Sequence, residues 1–360
     1  MTTPTRTTRT WTLALALVLS LLATACGGGD TTADDTTADD TTAGDDTSAD
    51  APEDGDGLRI AVLPKSVNNP YFDASFVGAE RACEELGATC EYVGPTEATG
   101  SAQVEFINTL TQQGVDAIVL SAADADAVTP ALQRAAESGI TIVTYDADVN
   151  DTSARSLFVN PSSPELIGRQ QVIWAAEQTG YSGEVAILSA AATADNQNTW
   201  IEFMEDELSK EEYSDMTLVD VVYGDDDASL SAERAAGLLQ AHPDLAAIIS
   251  PTTVGIREAA NYISGTDFRG EVAVTGLGLP SEMNAFVQDG TVAVFGLWNP
   301  QDLGYIAVHA AAQIASGDLT AEPCTSFTAG DADYEITEDN VVIVGPPFAF
   351  TADNIDEFDF

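Results

Sequence analysis

Polar and aromatic side chains follow directly after five of the apolar runs in this 360-residue chain. Carboxylate and amide groups can bracket pairs of hydroxyls, and aromatic ring faces can cover the apolar C–H surface of a sugar. The side chains are Lys65, Asn69 and Phe72 after the first run, Asp146 after the fourth, Asn196 and Gln197 after the sixth, Pro251 and Thr253 after the eighth, and Trp298 at the end of the last. Together they predict a binding pocket for a polyhydroxylated ligand.

Each of these residues could also have a purely structural role. Asn69 could cap a helix that starts at Tyr71. Asp146 could be a solvated loop carboxylate, Trp298 could pack between two lobes, and Lys65 could form a surface salt bridge. A shared site is favoured because all of these residues fall at the same end of their predicted strands.

The motifs of common α/β enzymes are missing from this sequence. No Gly-x-Ser-x-Gly elbow occurs, and Gly276-x-Gly278 lacks the third glycine of a dinucleotide-binding loop. His242 and His309 are far apart and no Cys-x-x-Cys pair exists, so neither a zinc site nor a thiol redox motif is supported. We expect a binding protein that is not an enzyme and that uses no cofactor and no metal.

The elements that position these residues alternate regularly between strand and helix. Continuous apolar runs of this length are typical of parallel strands buried on both faces, and amphipathic segments between them predict helices. The predicted strands are 58–65, 90–94, 117–121, 141–146, 156–160, 184–190, 218–223, 246–250, 272–276 and 292–298. Ten strands exceed a usual open sheet, so we predict an α/β fold of two similar Rossmann-like lobes. A single-domain α/β enzyme is the alternative.

In such folds ligands bind at the carboxyl ends of the strands and in the cleft between lobes. The residues after the strands are therefore the ones expected to meet a ligand. Strands that cross between the lobes near Asn160, Trp298 and Ser326 are expected to form a hinge.

The N-terminal segment has a different composition from the rest of the chain. Arg6 and Arg9 precede an apolar run that is too short for a permanent membrane span, which predicts a signal peptide over residues 1–25. Cys26 follows small residues, as in the lipobox of bacterial lipoproteins, although Ala23 stands where that pattern prefers leucine. An ordinary secretory signal with an incidental cysteine is the alternative. Residues 26–57 are an acidic near-repeat without aromatic residues, which predicts a disordered tether.

The charge of the chain restricts its partners. The sequence has 59 acidic residues against 12 Lys plus Arg, a net charge of −47. Such a surface repels nucleic acid and anionic lipid headgroups, so we expect no nucleic-acid partner and membrane contact only through the lipid at Cys26. Cys83 and Cys90 could form a disulfide in an oxidising compartment or remain buried thiols, and Cys324 is left without a partner.

From about Leu58 to Phe360 the chain resembles type I periplasmic binding proteins of ABC sugar importers. Within that group it is most similar to the rhamnose-binding and autoinducer-2-binding (LsrB-like) branch. The resemblance lies in Ile60-Ala61-Val62-Leu63-Pro64-Lys65, Gly94-Pro95-Thr96-Glu97, Asn196-Gln197-Asn198-Thr199-Trp200, Phe295-Gly296-Leu297-Trp298 and the segment 354–360. It implies an N-terminal lobe of 58–160 plus 298–326 and a C-terminal lobe of 161–297 plus 327–360. It also implies an extracytoplasmic monomer that delivers its ligand to the transmembrane subunits of an ABC permease.

The resemblance also suggests which residues hold the ligand. Autoinducer-2 receptors use a lysine that matches Lys65, an aspartate that matches Asp146, and backbone groups that match Pro251 and Thr253. They also use an aspartate–glutamine pair.

That pair marks a difference from the autoinducer-2 receptors. When the receptor motif is aligned with this sequence at Trp200, its aspartate corresponds to Asn196 and its glutamine to Gln197. Loss of a carboxylate removes a charge-assisted acceptor worth roughly 1.5–3 kcal/mol. We therefore rank the candidate ligands with a deoxyhexose such as L-rhamnose first, autoinducer-2 second, and another pentose or hexose third. A chemotaxis or signalling receptor that binds sugar without transport is a further alternative.

Overall fold

The computed structural model of the protein describes residues 57–360. The predicted signal peptide, the lipidation site Cys26 and all but the last residue of the tether lie outside these described residues. Within them, no helix combines the length and apolar character needed to cross a membrane.

Strands and helices alternate along most of the described chain. The strands are β1 (Arg59–Leu63), β2 (Thr89–Tyr92), β3 (Ala117–Leu120), β4 (Thr141–Tyr145), β5 (Leu157–Asn160), β6 (Gly183–Ser189), β7 (Met216–Tyr223), β8 (Leu245–Ser250), β9 (Ala273–Gly276), β10 (Phe295–Leu297), β11 (Ser326–Ala329), β12 (Ala332–Glu335), β13 (Val341–Ile343) and β14 (Phe348–Phe350). The α-helices are α1 (Pro70–Leu86), α2 (Gly100–Gln113), α3 (Ala125–Glu137), α4 (Pro164–Thr179), α5 (Asp195–Leu208), α6 (Ala228–Ala241), α7 (Thr253–Ser264), α8 (Pro280–Gln288) and α9 (Pro300–Ser316). All ten predicted strands are present, with ends that shift by a few residues.

The first sheet has six parallel strands in the order β13-β5-β4-β3-β1-β2. Its central strands are buried along their length, as the apolar runs predict. Helices α1, α2, α3 and α9 pack around it. We call this sheet with its helices the first lobe.

The second sheet has four parallel strands in the order β7-β6-β8-β9. A bridge between Leu277 and Gly296 connects it to β10, which pairs antiparallel with β14. Helices α4 to α7 pack around this sheet and α8 packs against α7, and we call the unit the second lobe. Two parallel sheets flanked by helices confirm the predicted fold class.

The third crossing between the lobes lies later in the chain than predicted. Strand β13 pairs in parallel with β5, with Val342 opposite Val159, so the first sheet continues through Ile343. The assignment of residues 327–360 to the C-terminal lobe was therefore wrong for 327–343. A three-residue strand has too few residues for a periodicity, and its position is set by pairing with β5 rather than by its own sequence.

A disulfide joins Cys83 near the end of α1 to Cys90 in β2, with Cα atoms 5.8 Å apart. Of the two alternatives that the sequence leaves open, the disulfide is the one present. Cys324 is a free thiol and is exposed. The disulfide ties the helix whose first turn carries Phe72 to the edge strand of the first sheet.

Candidate functional site

Helix α1 begins at the carboxyl end of β1 and points its first turn into the cleft. The Asn69 Oδ1 accepts a hydrogen bond from the backbone N–H of Tyr71 at 3.1 Å, and Pro70 is the first helical residue. Asn69 therefore has the capping role considered from the sequence, and it also lines the cavity described below. The start of the helix buries the rings of Tyr71 and Phe72, whose centroids lie 5.0 Å apart at nearly a right angle.

Asp146 follows β4 and is 5% exposed, so it is not a solvated loop carboxylate. Its Oδ1 accepts a hydrogen bond from the Tyr71 hydroxyl at 3.0 Å, and its Oδ2 accepts one from the Ser121 hydroxyl at 2.7 Å. Its φ of 61° lies in the left-handed region, where a residue with a side chain is held under strain. Strain of this kind is concentrated at functional sites, and here it turns the carboxylate into the cleft.

Lys65 crosses from the first lobe to the second. Its Nζ donates to the Asn196 Oδ1 at 3.1 Å and lies 3.6 Å from the Asp146 Oδ2. Lys65 is 5% exposed, so its ion pair lies inside the cleft and not on the surface. The pair compensates two charges that would be costly to bury separately.

The start of α5 supplies the contribution of the second lobe. The Gln197 Oε1 accepts hydrogen bonds from the Ser189 hydroxyl at 2.7 Å and from the Ala190 N–H at 2.9 Å. Since this carbonyl oxygen holds α5 to the end of β6, the amide nitrogen of Gln197 is the group that can donate to a ligand. Asn196 Nδ2 also donates to the backbone oxygen of Asp146 at 3.4 Å.

The end of β8 brings a short segment to the same place. Pro251, Thr252 and Thr253 are all buried, and α7 begins at Thr253. The Thr252 hydroxyl donates a hydrogen bond to the Asp226 Oδ1. The segment therefore borders the cleft, and Asp226, which lines the same cavity, fixes the Thr252 hydroxyl.

Trp298 closes the apolar side of the cleft at the crossing after β10. Its ring lies 6.2 Å from that of Tyr71 and 6.0 Å from that of Trp200, both in edge-on geometry. Its indole Nε1 donates to the Tyr71 hydroxyl at 2.8 Å. Trp298 therefore packs between the lobes and also contributes a wall of the cavity.

All nine sequence-predicted residues line one cavity between the lobes. Its empty volume, including its opening to solvent, is about 380 Å³. Tyr71, Trp200, Asp226, Thr252, Leu277 and Leu297 line it as well. Asp226 was missed because an Asp-Asp-Asp run reads as a solvated turn. The available signal was its position just after β7, at the same edge of the sheet.

Burial sets the ionisation of two cavity residues. Burial, with the neighbouring Asp146 carboxylate, raises the pKa of Tyr71 well above its usual value, so this hydroxyl stays a donor. Burial also raises the pKa of Asp226. Within residues 57–360, no three His, Cys, Asp or Glu side chains are grouped so that they could hold a metal ion.

Comparison with known proteins agrees with this architecture. A family model described as a periplasmic binding protein domain matches residues 60–319. Among curated proteins, the D-ribose/D-allose-binding protein of Pseudomonas aeruginosa is 25% identical over 245 residues, which cover 65% of this chain and 75% of that protein.

Solved structures extend the comparison to nearly the whole described chain. A sugar ABC transporter protein from Actinomyces odontolyticus is 48% identical with a TM-score of 0.68, covering 84% of this chain and 98% of its own. A solute-binding protein from Clostridium phytofermentas with bound L-rhamnose is 36% identical with a TM-score of 0.81, at the same coverage. LsrB from Clostridium saccharobutylicum, in complex with AI-2, is 27% identical with a TM-score of 0.81, covering 84% of this chain and 100% of its own. The chain therefore belongs to the periplasmic binding protein family, in the group formed by the substrate-binding proteins of sugar ABC transporters, and is not an enzyme.

Proposed function

We propose that this protein captures L-rhamnose or a related 6-deoxyhexose between its lobes and delivers it to the transmembrane subunits of an ABC permease. The observation that carries the proposal is the contact of Lys65 with Asn196, beside Asp146. These three side chains come from both lobes and offer donors and acceptors in alternation. Sugar hydroxyls both donate and accept, so they match such a set.

The Asp146 carboxylate keeps hydrogen-bonding capacity for a ligand. Both carboxylate oxygens of Asp146 accept one internal hydrogen bond, and each has a further lone pair that can accept from a hydroxyl. Asp146 can therefore bind two neighbouring hydroxyls while Tyr71 and Ser121 hold it in position.

The aromatic wall suits a 6-deoxy sugar. Phe72 and Trp298 are buried rings that border the cavity, together with Trp200. A methyl group at C6 is apolar and gains from contact with such rings, whereas a hydroxymethyl group would need a hydrogen-bond partner there. The bound L-rhamnose of the 36% identical relative supports the same choice.

Autoinducer-2 is the second candidate, because five residues match the pattern of its receptors. They all line the cavity: Lys65, Asp146, Gln197, Pro251 and Thr253. Asn196 is the point of difference, since its amide supplies one donor and one acceptor where those receptors have a carboxylate. The hydrated autoinducer gains more from a carboxylate at this position than a deoxyhexose does.

A thermal-shift panel tests this assignment. The panel contains L-rhamnose, L-fucose, D-ribose, D-xylose, D-glucose and autoinducer-2, and we expect the largest shift with L-rhamnose. A ligand that binds only the folded state stabilises it by RT ln(1 + [L]/Kd), so the shifts rank the affinities. Asn196→Asp should move the preference towards autoinducer-2. Asn198→Asp is the matched control, because Asn198 is half-buried in the same helix turn and does not line the cavity. A wild-type protein that responds to autoinducer-2 and to no sugar would overturn the ranking.

We also propose that the mature protein is a monomer tethered outside the cytoplasmic membrane by a lipid on Cys26. The support for the anchor is the sequence alone: the lipobox-like segment and the acidic tether that follows it. The monomeric state is what the resemblance to type I periplasmic binding proteins implies. Cys26→Ser should release the protein from the membrane fraction while its sugar affinity stays the same. Membrane retention of that variant would contradict the lipid anchor.

A further inference from the structure

Asp226 lies in the cleft beside the residues that the sequence predicted, although no motif points to it. It lines the same cavity as Lys65 and Asp146. It also lines a neighbouring, wider cavity between the lobes, whose other walls include Glu97 and Thr193. Asp226 is therefore placed where the two cavities adjoin.

The turn that carries Asp226 is fixed to the end of β6. The Gly224 N–H donates to the Ser189 oxygen at 2.9 Å, and the Asp225 N–H donates to the Ala190 oxygen at 3.0 Å. Ser189 and Ala190 are also the residues that hold Gln197. The Asp226 turn and the start of α5 are thus positioned by the same strand end.

The conformation of Asp226 is defined by its backbone and by one side-chain contact. Asp225 and Asp226 have φ values of 53° and 51°, so two consecutive residues with side chains lie in the left-handed region. The Asp226 Oδ1 accepts a hydrogen bond from Thr252, which lines the same cavity. A carboxylate oxygen has two lone pairs, so Asp226 can accept from a ligand hydroxyl as well.

The charges at the cavity do not balance. Of the described residues, those with charged side chains that line it are Lys65, Asp146 and Asp226, which leaves one negative charge in excess when all three are ionised. Asn196 is neutral, so Asp226 is the carboxylate that the second lobe contributes to this cavity. Burial raises the pKa of Asp226, while the Thr252 hydrogen bond and the Lys65 ammonium favour its ionised form.

We propose that Asp226 contacts the ligand as a second carboxylate acceptor, opposite Asp146, and selects neutral sugars over their anionic derivatives. The inference rests on the proposed function, because it adds a specificity residue to the same site. An uncharged sugar gains a charge-assisted hydrogen bond from Asp226. A sugar carboxylate meets a second anion in a weakly solvated cleft, where like charges repel strongly.

Calorimetry on three proteins tests the proposal: the wild type, Asp226→Asn and Asp225→Asn. Each is titrated with L-rhamnose and with L-mannuronate, in which a carboxylate replaces the L-rhamnose methyl group. Asparagine keeps the shape of aspartate and tolerates the left-handed conformation, so both variants should fold. Asp225 is exposed, lies in the same turn and does not line the first cavity, which makes Asp225→Asn the matched control.

We expect Asp226→Asn to weaken L-rhamnose binding by about 10-fold, the loss of one charge-assisted hydrogen bond. The ratio of the L-mannuronate affinity to the L-rhamnose affinity should rise by about the same factor. Asp225→Asn should leave both affinities within about two-fold of the wild type. If Asp226→Asn does not fold, Asp226→Gly carries the same expectations, because glycine adopts positive φ without strain.

The outcomes separate this inference from the proposed function. A wild type that binds L-rhamnose, with Asp226→Asn binding both sugars equally well, would overturn the role of Asp226 and leave the function standing. An equal loss in Asp225→Asn would also overturn it, since the effect would then come from the turn as a whole. A wild type that binds none of the sugars would reject the function, and the inference with it.

Discussion

The indole Nε1 of Trp298 donates a hydrogen bond to the hydroxyl of Tyr71 at 2.8 Å. That hydroxyl in turn donates to the Asp146 Oδ1 at 3.0 Å. The two bonds form a chain from the crossing between the lobes to the carboxylate at the centre of the site. Because all three residues are buried, every member of the chain depends on the others for its hydrogen-bond partners.

Tyr71→Phe should weaken ligand binding, because it removes the middle of this chain. Trp298 would lose its acceptor and Asp146 would lose a donor that orients it. We expect an affinity loss of about 5- to 10-fold, corresponding to about 1–1.5 kcal/mol for one hydrogen bond. Calorimetric titration of the wild type and of Tyr71→Phe with L-rhamnose measures this loss of affinity.

Tyr92→Phe is the matched control for that substitution. Tyr92 also donates its hydroxyl to a carboxylate, the Asp73 Oδ1 at 3.0 Å, but it does not line the cavity. Its affinity should equal that of the wild type. An equal loss in both variants would show that the Tyr71 hydroxyl acts through stability and not through the site.

Asp146→Ala should weaken binding by about 2–4 kcal/mol, because it removes a buried charged acceptor. Circular dichroism should change little, since the side chain lies in the cleft and supports little of the core. Asp151→Ala is the control: Asp151 lies in the same connection after β4, and its carboxylate bonds only to the nearby Ser153 and Gln133 at the surface. Unaltered affinity in Asp146→Ala would reassign Asp146 as a structural residue.

The parallel strands of both lobes could be predicted from the sequence because their apolar runs are self-contained signals. Strands such as β3 and β8 are buried on both faces and therefore read as continuous Val, Ile and Leu. Strands β13 and β14 have three residues each, and their partners β5 and β10 are distant in sequence. Pairing of this kind depends on the assembled fold, so no local pattern predicts it.

The site was predictable to the extent that ligands meet the carboxyl ends of parallel strands. Lys65 and Asp146 could be found because each directly follows an apolar run. Tyr71 and Asp226 could not be assigned to the site by their position after an apolar run. The hydroxyl of Tyr71 acts through contacts that only folding creates, and Asp226 stands in a run of aspartates that resembles a solvated turn.

Removing the disulfide should lower the free energy of unfolding without changing ligand affinity. Cys83 and Cys90 are seven residues apart, and a loop of this length gives a stabilisation of about 2–2.5 kcal/mol in the chain-entropy estimate. The Cys83→Ala/Cys90→Ala variant tests this by chemical denaturation, with the exposed Cys324→Ser as control. A double variant as stable as the control would mean that the disulfide adds nothing to the fold.

Acidification should destabilise the protein through His309. Burial lowers the pKa of this residue in α9, and the nearby Arg81 lowers it further. Glu85 of α1, which lies 3.6 Å from the His309 Nε2, opposes this shift without cancelling it. The unfolded chain, with a His pKa of about 6.5, takes up the proton first as the pH falls. Stability present at neutral pH is therefore lost as the pH falls below about 6.5 towards the lower folded-state pKa. The free energy of unfolding of the wild type and of His309→Gln can be measured at about pH 8 and pH 5.5 by chemical denaturation. The variant should lose less stability than the wild type between these two pH values.

Ligand binding should close the cleft, since the contacts between the lobes lie at the site itself. Lys65 meets Asn196, and the Thr193 hydroxyl donates to the Ala123 oxygen at 3.4 Å, so this structure shows the lobes in contact. Solvent can replace polar contacts of this kind when no ligand bridges the lobes. Small-angle scattering should therefore give a smaller radius of gyration with saturating L-rhamnose than without it. Asp146→Ala at the same sugar concentration should remain at the larger value. An identical radius in both states, with a ligand that calorimetry shows to bind, would rule out closure.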